Sequence, residues 1–287
     1  MVVDPRRVPS GTLQTLIAPV ATLRDKLLLG LYVASQLWQT DEDVLVQQET
    51  DTEAYLRSIG LSETIISSFF RPFYQGIFLA PLSRQSSRMF AFVLRMFLRG
   101  SATLPMEGMG AVSEQLAESL PSGTVRILHR AERIENGTVV LSDGATMPCD
   151  AVVVATEGPE AARLLKLEAP IGLASTCLYF SIEGAPPVSE PLLVLNGMGA
   201  AIDGRTVNNV CFPSTVSARY APQGFSLASV TVIGEPSGTK EALVDDVRAQ
   251  LQTWFGSDVH KWIFLRSYVI RHAQPAQQPP NGDSFDR

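Results

Sequence analysis

The sequence predicts a mixed α/β fold, and three observations carry that prediction. Apolar residues recur at helical spacing through the first hundred positions. From Leu104 to Leu165 a glycine loop, a helix pattern, a meander and a solid apolar run follow one another. From Ser175 onward the pattern becomes four alternating runs, one amphipathic helix and a closing strand. These divide the chain into a mainly helical part at 1–103, a loop-and-strand segment at 104–166, a β-rich part with one helix at 167–270 and a disordered tail at 271–287.

The composition supports a real core. The 287 residues are 45% apolar with a mean hydropathy of +0.12, enough for one large or two ordinary domains. A net charge of −6 and a pI near 5.2 argue against a nucleic-acid face. The apolar runs Leu27 to Trp38 and Met89 to Leu98 are too short to span a bilayer, the second being interrupted by Arg95. Cys149, Cys177 and Cys211 form no C-x-x-C pair, so neither a zinc site nor a disulfide scaffold is indicated. No secretory signal is recognisable, and the Asn136-Gly137-Thr138 sequon coincides with a turn. A soluble chain of the cytoplasm or a plastid is expected.

Asp4 to Pro9 reads as an extended lead-in. Thr12 to Leu37 has helical spacing with Asp25 and Lys26 on the wet side. Asp41-Glu42-Asp43 suits either the amino end of a helix or a solvated turn. Thr52 to Ile59 is a short helix ended by Gly60, and Ser62 opens another that runs into Phe69, Phe70, Phe73, Tyr74 and Phe78. Ser83 to Arg99 places Phe90, Val93, Leu94 and Phe97 inward and Arg88, Arg95 and Arg99 outward.

Leu104-Pro105-Met106-Glu107-Gly108-Met109-Gly110 is too rich in glycine to pack as a helix, and Val112, Leu116, Ala117 and Leu120 supply one immediately after it. Val125 to Leu128 is expected to be a strand. Asn136-Gly137 and Asp143-Gly144 are hairpin turns, delimiting strands at Ala131–Glu135, Thr138–Ser142 and Ala145–Cys149. Asp150 to Thr156 is apolar on both faces, which predicts a strand covered on both sides. Glu157-Gly158-Pro159-Glu160 starts a helix with Ala161, Leu164 and Leu165 inward.

Strands are then expected at Ser175–Ile182, Pro191–Asn196, Val207–Phe212 and Leu227–Ile233, a helix at Thr239–Phe255 and a strand at Trp262–Ile270. The Leu192 to Gly199 stretch imitates a dinucleotide-binding turn but lacks its third glycine, and reads as a hairpin. Gln274 to Arg287 reads as disordered.

The order of these parts resembles the flavin-dependent amine oxidases, phytoene desaturases and protoporphyrinogen oxidases. A Pro-x-x-Gly-Met-Gly loop, a helix, a meander and Val152-Val153-Val154-Ala155-Thr156 carry the resemblance. It is flanked by Phe69-Phe70-Arg71-Pro72-Phe73-Tyr74-Gln75-Gly76-Ile77-Phe78 and by Val207-Asn208-Asn209-Val210-Cys211. The resemblance implies part of an FAD-binding domain interleaved with a sheet-and-helix substrate domain. By the same resemblance Gly108, Met109 and Gly110 approach the FAD cavity, the backbone of Ala131 meets the adenine side, and Ala155 and Thr156 lie against the cofactor. Arg71, Tyr74 and Gly76 become candidate substrate-binding residues, although Arg71 serves equally to anchor a helix end and an aromatic stripe suits a core as well as a pocket.

No hydrolase elbow, catalytic triad or metal-ligand spacing is present in the sequence. No catalytic side chain can be named, which suits chemistry carried by a cofactor. The family's amino-terminal G-x-G-x-x-G motif and carboxy-terminal Gly-Asp segment are also missing from these residues, Asn281-Gly282-Asp283 supplying only the dipeptide. Two readings stay open: an incomplete FAD-dependent oxidoreductase acting on a C–N or C–C bond of a small or lipophilic molecule, and a flavin-free binding or interaction module of the same descent. Weak FAD binding by this chain alone, and self-association through uncovered apolar surface, are expected.

Overall fold

The computed structural model describes residues 18–135, 137–199 and 201–279. Asp4–Pro9, residues 12–17, Asn136 of the first hairpin turn, Asn281-Gly282-Asp283 and the tail from 280 lie outside the described residues. The fold is mixed α/β with two antiparallel sheets.

The helical part contains α1 (Leu23–Trp38), α2 (Asp41–Leu45), α3 (Thr52–Ser58), α4 (Glu63–Ile65), a π turn at Ile66–Phe70, α5 (Arg71–Phe78) and α6 (Ser87–Arg99). Local chemistry sets where several of these begin. Thr22 and Thr40 close capping boxes with Asp25 and Asp43, and Asp51 and Ser86 cap α3 and α6 with side-chain oxygens. Asp41-Glu42-Asp43 is thus the first turn of a helix. Tyr32, Leu56, Ile66, Phe70, Tyr74, Phe78 and Phe90 form the core of this part.

Two charged residues expected in water are buried. Asp25, 1% exposed, accepts hydrogen bonds from the Thr22 amide and hydroxyl (2.9 and 2.6 Å) and from the Ser62 amide and hydroxyl (2.8 and 2.7 Å). One carboxylate therefore holds the starts of α1 and α4 together. Burial works to raise its pKa, but these hydrogen bonds outweigh it and bring the carboxyl to about 2. Arg95, 1% exposed, donates to the carbonyls of Gln36 and Gln39 and pairs with Asp41 at 2.9 Å. Its guanidinium gathers the end of α1 and the start of α2 onto α6. Helical spacing identifies the face these residues share, but not the polar groups waiting on it; conversely Phe97, expected inward, is partly exposed.

The glycine loop leads into α7 (Gly110–Glu118), and the small sheet follows as β1 (Ala131–Glu135), β2 (Thr138–Leu141) and β3 (Thr146–Pro148) in that order. Two expectations fail here. Val125 to Leu128 forms no strand; its side chains are exposed and Leu128 takes a left-handed φ of 63°. Asp150 to Thr156 forms no strand and is unpaired, with Val153 90% exposed. The reason is common to both: β-branched residues favour an extended chain, but a strand needs a neighbour for its amides and carbonyls. Among the described residues, no ladder reaches either segment. Helix α8 (Gly158–Leu165) then begins with proline in its first turn and buries Ala162 and Leu164, leaving Leu165 outside.

The large sheet comprises β4 (Gly172–Glu183), β5 (Leu193–Leu195), β6 (Val207–Cys211), β7 (Phe225–Ile233) and β8 (Ile263–Pro275), ordered β5-β6-β7-β4-β8. Strand β8 runs past Gln274, so part of the expected tail is sheet. Helix α9 (Lys240–Phe255) packs Leu243, Val247 and Leu251 on Leu178, Phe180, Val210, Ala228, Val230 and Val232. This gives the sheet one buried face; the alternating residues form the other.

Candidate functional site

The glycine loop is built as expected at its amino-terminal half. Gly108 has φ 90°, a conformation glycine adopts without strain, and α7 starts at Gly110 behind Met109 with no side-chain cap. A Cβ at Gly108 or Gly110 would meet nothing within 4 Å. The loop is anchored by the Tyr220 hydroxyl, which donates to the Pro105 carbonyl at 2.7 Å, and by the Arg219–Glu107 ion pair. No side chain caps the helix start; the Gly108, Ala111 and Val112 amides donate instead to the Pro105, Gly108 and Met109 carbonyls at 3.1, 3.2 and 3.3 Å.

Ala131 opens β1, and its carbonyl accepts from Arg163 at 3.0 Å; the Glu132 carbonyl accepts from the same guanidinium at 2.6 Å. Arg163 also clasps Glu160 at 2.9 and 2.6 Å, holding that carboxyl below its ordinary range. Helix α8 is thereby pinned to the edge of the small sheet. Ala155 and Thr156 lead into the same helix, both exposed, with the Thr156 hydroxyl 3.4 Å from the Glu157 carbonyl.

The residues of α5 point three ways. Arg71 donates to Glu53 at 3.2 Å and Glu63 at 2.9 Å, and the hydrogen bond from Arg57, helped by Arg71, holds the Glu63 carboxyl low against its partial burial. Tyr74 is buried among Phe70, Phe78 and Phe90, which pushes its phenol up. Gly76 faces β6: a Cβ there would stand 2.7 Å from Asn208 Nδ2 and 3.1 Å from Asn209 Nδ2. Asn208 in turn donates to the Pro72 carbonyl at 3.0 Å. Arg71, Tyr74 and Gly76 join the helix to an ion cluster, an aromatic core and a sheet. The structure does not bring them into one cleft.

Residues to which the sequence assigned no site role form two polar rows on the large sheet. On the face of the large sheet opposite α9, the strand register aligns Cys211, Ser229, Tyr179 and Arg266 in one row. Asn209, Thr231, Cys177 and Tyr268 form the next. Tyr179 and Tyr268 meet edge to face, 5.9 Å between centroids, and the Arg266 guanidinium lies 5.1 Å from the Tyr268 ring. Cys177 Sγ is 3.4 Å from Ser229 Oγ. Period-two alternation within β4, where Cys177, Tyr179 and Ser181 interleave Leu178, Phe180 and Ile182, was the signal available; the rows themselves need the register. Among the described residues no group of three His, Cys, Asp or Glu side chains could hold a metal ion. A groove of about 490 Å³ along Met96, Phe97 and Ala102 contains none of the candidate residues.

Solved structures resemble this fold at low identity. An oxidoreductase from Methanosarcina mazei matches with a TM-score of 0.65 and 14% identity over 90% of this chain and 63% of its own. A double mutant of putrescine oxidase gives 0.60 and 10% over 88% and 62%, and reduced UDP-galactopyranose mutase gives 0.59 and 12% over 86% and 60%. The chain thus spans a little over three fifths of the length of these structures. A search of curated proteins found no match. The profile of one family does match, and over nearly the whole chain, from residue 3 to residue 278; the protein belongs to the flavin containing amine oxidoreductases.

Proposed function

We propose that this chain serves an FAD-dependent oxidoreductase that oxidises a C–N or C–C bond of a small molecule, and that the outer face of the large sheet is the wall its substrate meets. Family membership across residues 3–278 is the observation that carries the reading. The residues fit a flavin on one side. Gly108 and Gly110 leave open space where side chains would stand, no side chain covers the start of α7, and no backbone hydrogen bond joins residues 150–156 to the rest of the described chain. In this reading Gly108, Met109 and Gly110 border the cofactor, Ala131 meets its adenine side, and Ala155 and Thr156 lie against it.

A bound flavin supplies a two-electron acceptor; the protein's part is to orient the substrate and exclude water. The large sheet suits that part, because one face is fixed by α9 and the other presents neutral hydrogen-bonding groups and rings on a rigid scaffold. Of the three α5 candidates Gly76 bears on this wall: it sets how closely α5 approaches Asn208 and Asn209, and Asn209 ends one of the polar rows.

The test is to purify the chain and record its visible spectrum, with calorimetric titration by FAD. Weak but saturable FAD binding, and its further weakening by Gly110→Val, are the expected results. Absence of both would overturn the reading.

A further inference from the structure

The outer face of the large sheet has an unusual composition for a surface. A solvated sheet face is normally dressed with charged side chains of both signs. Here two rows crossing four strands hold Cys211, Ser229, Tyr179 and Arg266, then Asn209, Thr231, Cys177 and Tyr268, with a single charge among them. Arg266 is exposed and makes no ion pair among the described residues. Its guanidinium lies against the Tyr268 ring, and Tyr179, its cross-strand partner, meets that ring at 84°.

The neighbouring groups stay neutral. Burial, with Cys177 beside it, pushes the Tyr179 phenol up to about 12, and burial raises the Cys211 thiol although Ser229 hydrogen-bonds to it. The face therefore offers one fixed cation, two rings at right angles and a set of uncharged hydrogen-bonding groups. A guanidinium matches a carboxylate fork to fork, and stacking on a ring preorganises it for that match. Perpendicular rings offer both an edge and a face to a flat apolar body. A lone cation suits a singly charged partner better than a dianion.

We propose that this face binds a carboxylate attached to a planar or aromatic body, with Arg266 holding the carboxylate and the touching rings of Tyr179 and Tyr268 lying along one side of the body. The proposal rests on the reading of this face as the substrate wall, and it names the substrate class: an organic acid carrying a flat apolar group. Ser229, next to Tyr179 in the same row, supplies a secondary hydrogen bond. Arg266 is the specificity-determining residue.

The experiment is a calorimetric or ligand-observed NMR titration of the full chain with benzoate, benzamide and inorganic phosphate. Arg266→Gln, Tyr268→Leu and the distant control Arg133→Gln are titrated alongside, with circular dichroism confirming that each variant is folded. Benzoate is expected to bind about 10-fold or more tightly than its uncharged isostere benzamide. Arg266→Gln should erase that difference while leaving benzamide unchanged, Tyr268→Leu should weaken both, and Arg133→Gln should change neither. Phosphate should fail to displace benzoate. Equal binding of benzoate and benzamide, an unaltered preference in Arg266→Gln, no benzoate binding at millimolar concentration, or displacement by phosphate would each overturn the assignment. FAD titration of the same samples separates the two readings: no saturable binding counts against the flavin assignment alone, whereas the benzoate preference reports on Arg266 whether or not flavin is present.

Discussion

The segment Asp150–Thr156 and strand β4 are made of similar material and meet opposite fates. Ala151-Val152-Val153-Val154-Ala155 is as apolar as any stretch of the chain, yet it lies open to solvent with its backbone unpaired. Strand β4 is more polar by composition, since Ser175, Thr176, Cys177, Tyr179 and Ser181 interrupt it. It is nevertheless paired along both edges, with Leu178 and Phe180 fully buried. Apolar sequence sets the gain available from burial, about 25 cal/mol per Å². Whether the gain is realised depends on a neighbour at hydrogen-bonding distance and a layer above. Strand β4 has β7, β8 and α9; residues 150–156 have neither among the described chain.

Substitutions can break this contrast. Phe180→Ala should destabilise the chain by about 3–5 kcal/mol in denaturant unfolding, while Val153→Ala should change stability by less than about 0.5 kcal/mol. A comparable cost at both positions would mean that residues 150–156 are packed in solution. Arg95→Met comes next, because the Gln36 and Gln39 carbonyls would lose charged donors inside the helical core; about 3 kcal/mol is expected, with the junction of α1 and α2 losing amide protection first.

Asp25 sharpens the comparison through pH. Its carboxyl falls from the ordinary 3.8 to about 2 in the folded chain, so the unfolded state binds the proton more readily. The stabilisation, about 2 kcal/mol from the linkage of pKa to folding, is complete above the unfolded value and disappears as pH falls through the folded one. Thermal melts of the parent chain and Asp25→Asn should therefore converge as pH drops from about 4 towards about 2. A gap independent of pH would remove Asp25 from the acid response. A modest loss is expected at Gly76→Ala, where the new methyl would press on Asn208 and Asn209 and cost about 1–2 kcal/mol. If this contact also positions the sheet wall, benzoate affinity should fall with stability; unchanged affinity would confine Gly76 to packing.

Much of the architecture was legible in the order of residues. Capping residues, helical spacing from Leu23 to Arg99, the Asp143-Gly144 turn and the alternation along β4 and β7 are local, and local rules place them within a few residues of where they lie. The family resemblance was legible too, because it resides in the succession of loop, helix, meander and apolar run. What the sequence left undecided depended on partners distant in the chain. Arg95 is buried because backbone carbonyls more than fifty positions away wait for it, and Asp25 because Ser62, 37 residues on, completes its hydrogen bonds. Arg71, Tyr74 and Gly76 share a helix but are separated by what each faces. The Arg266 row exists only once β6, β7, β4 and β8 are set in register. Spacing along a chain determines which side chains share a face; only the packing of elements decides whether that face meets water, a carbonyl or another ring.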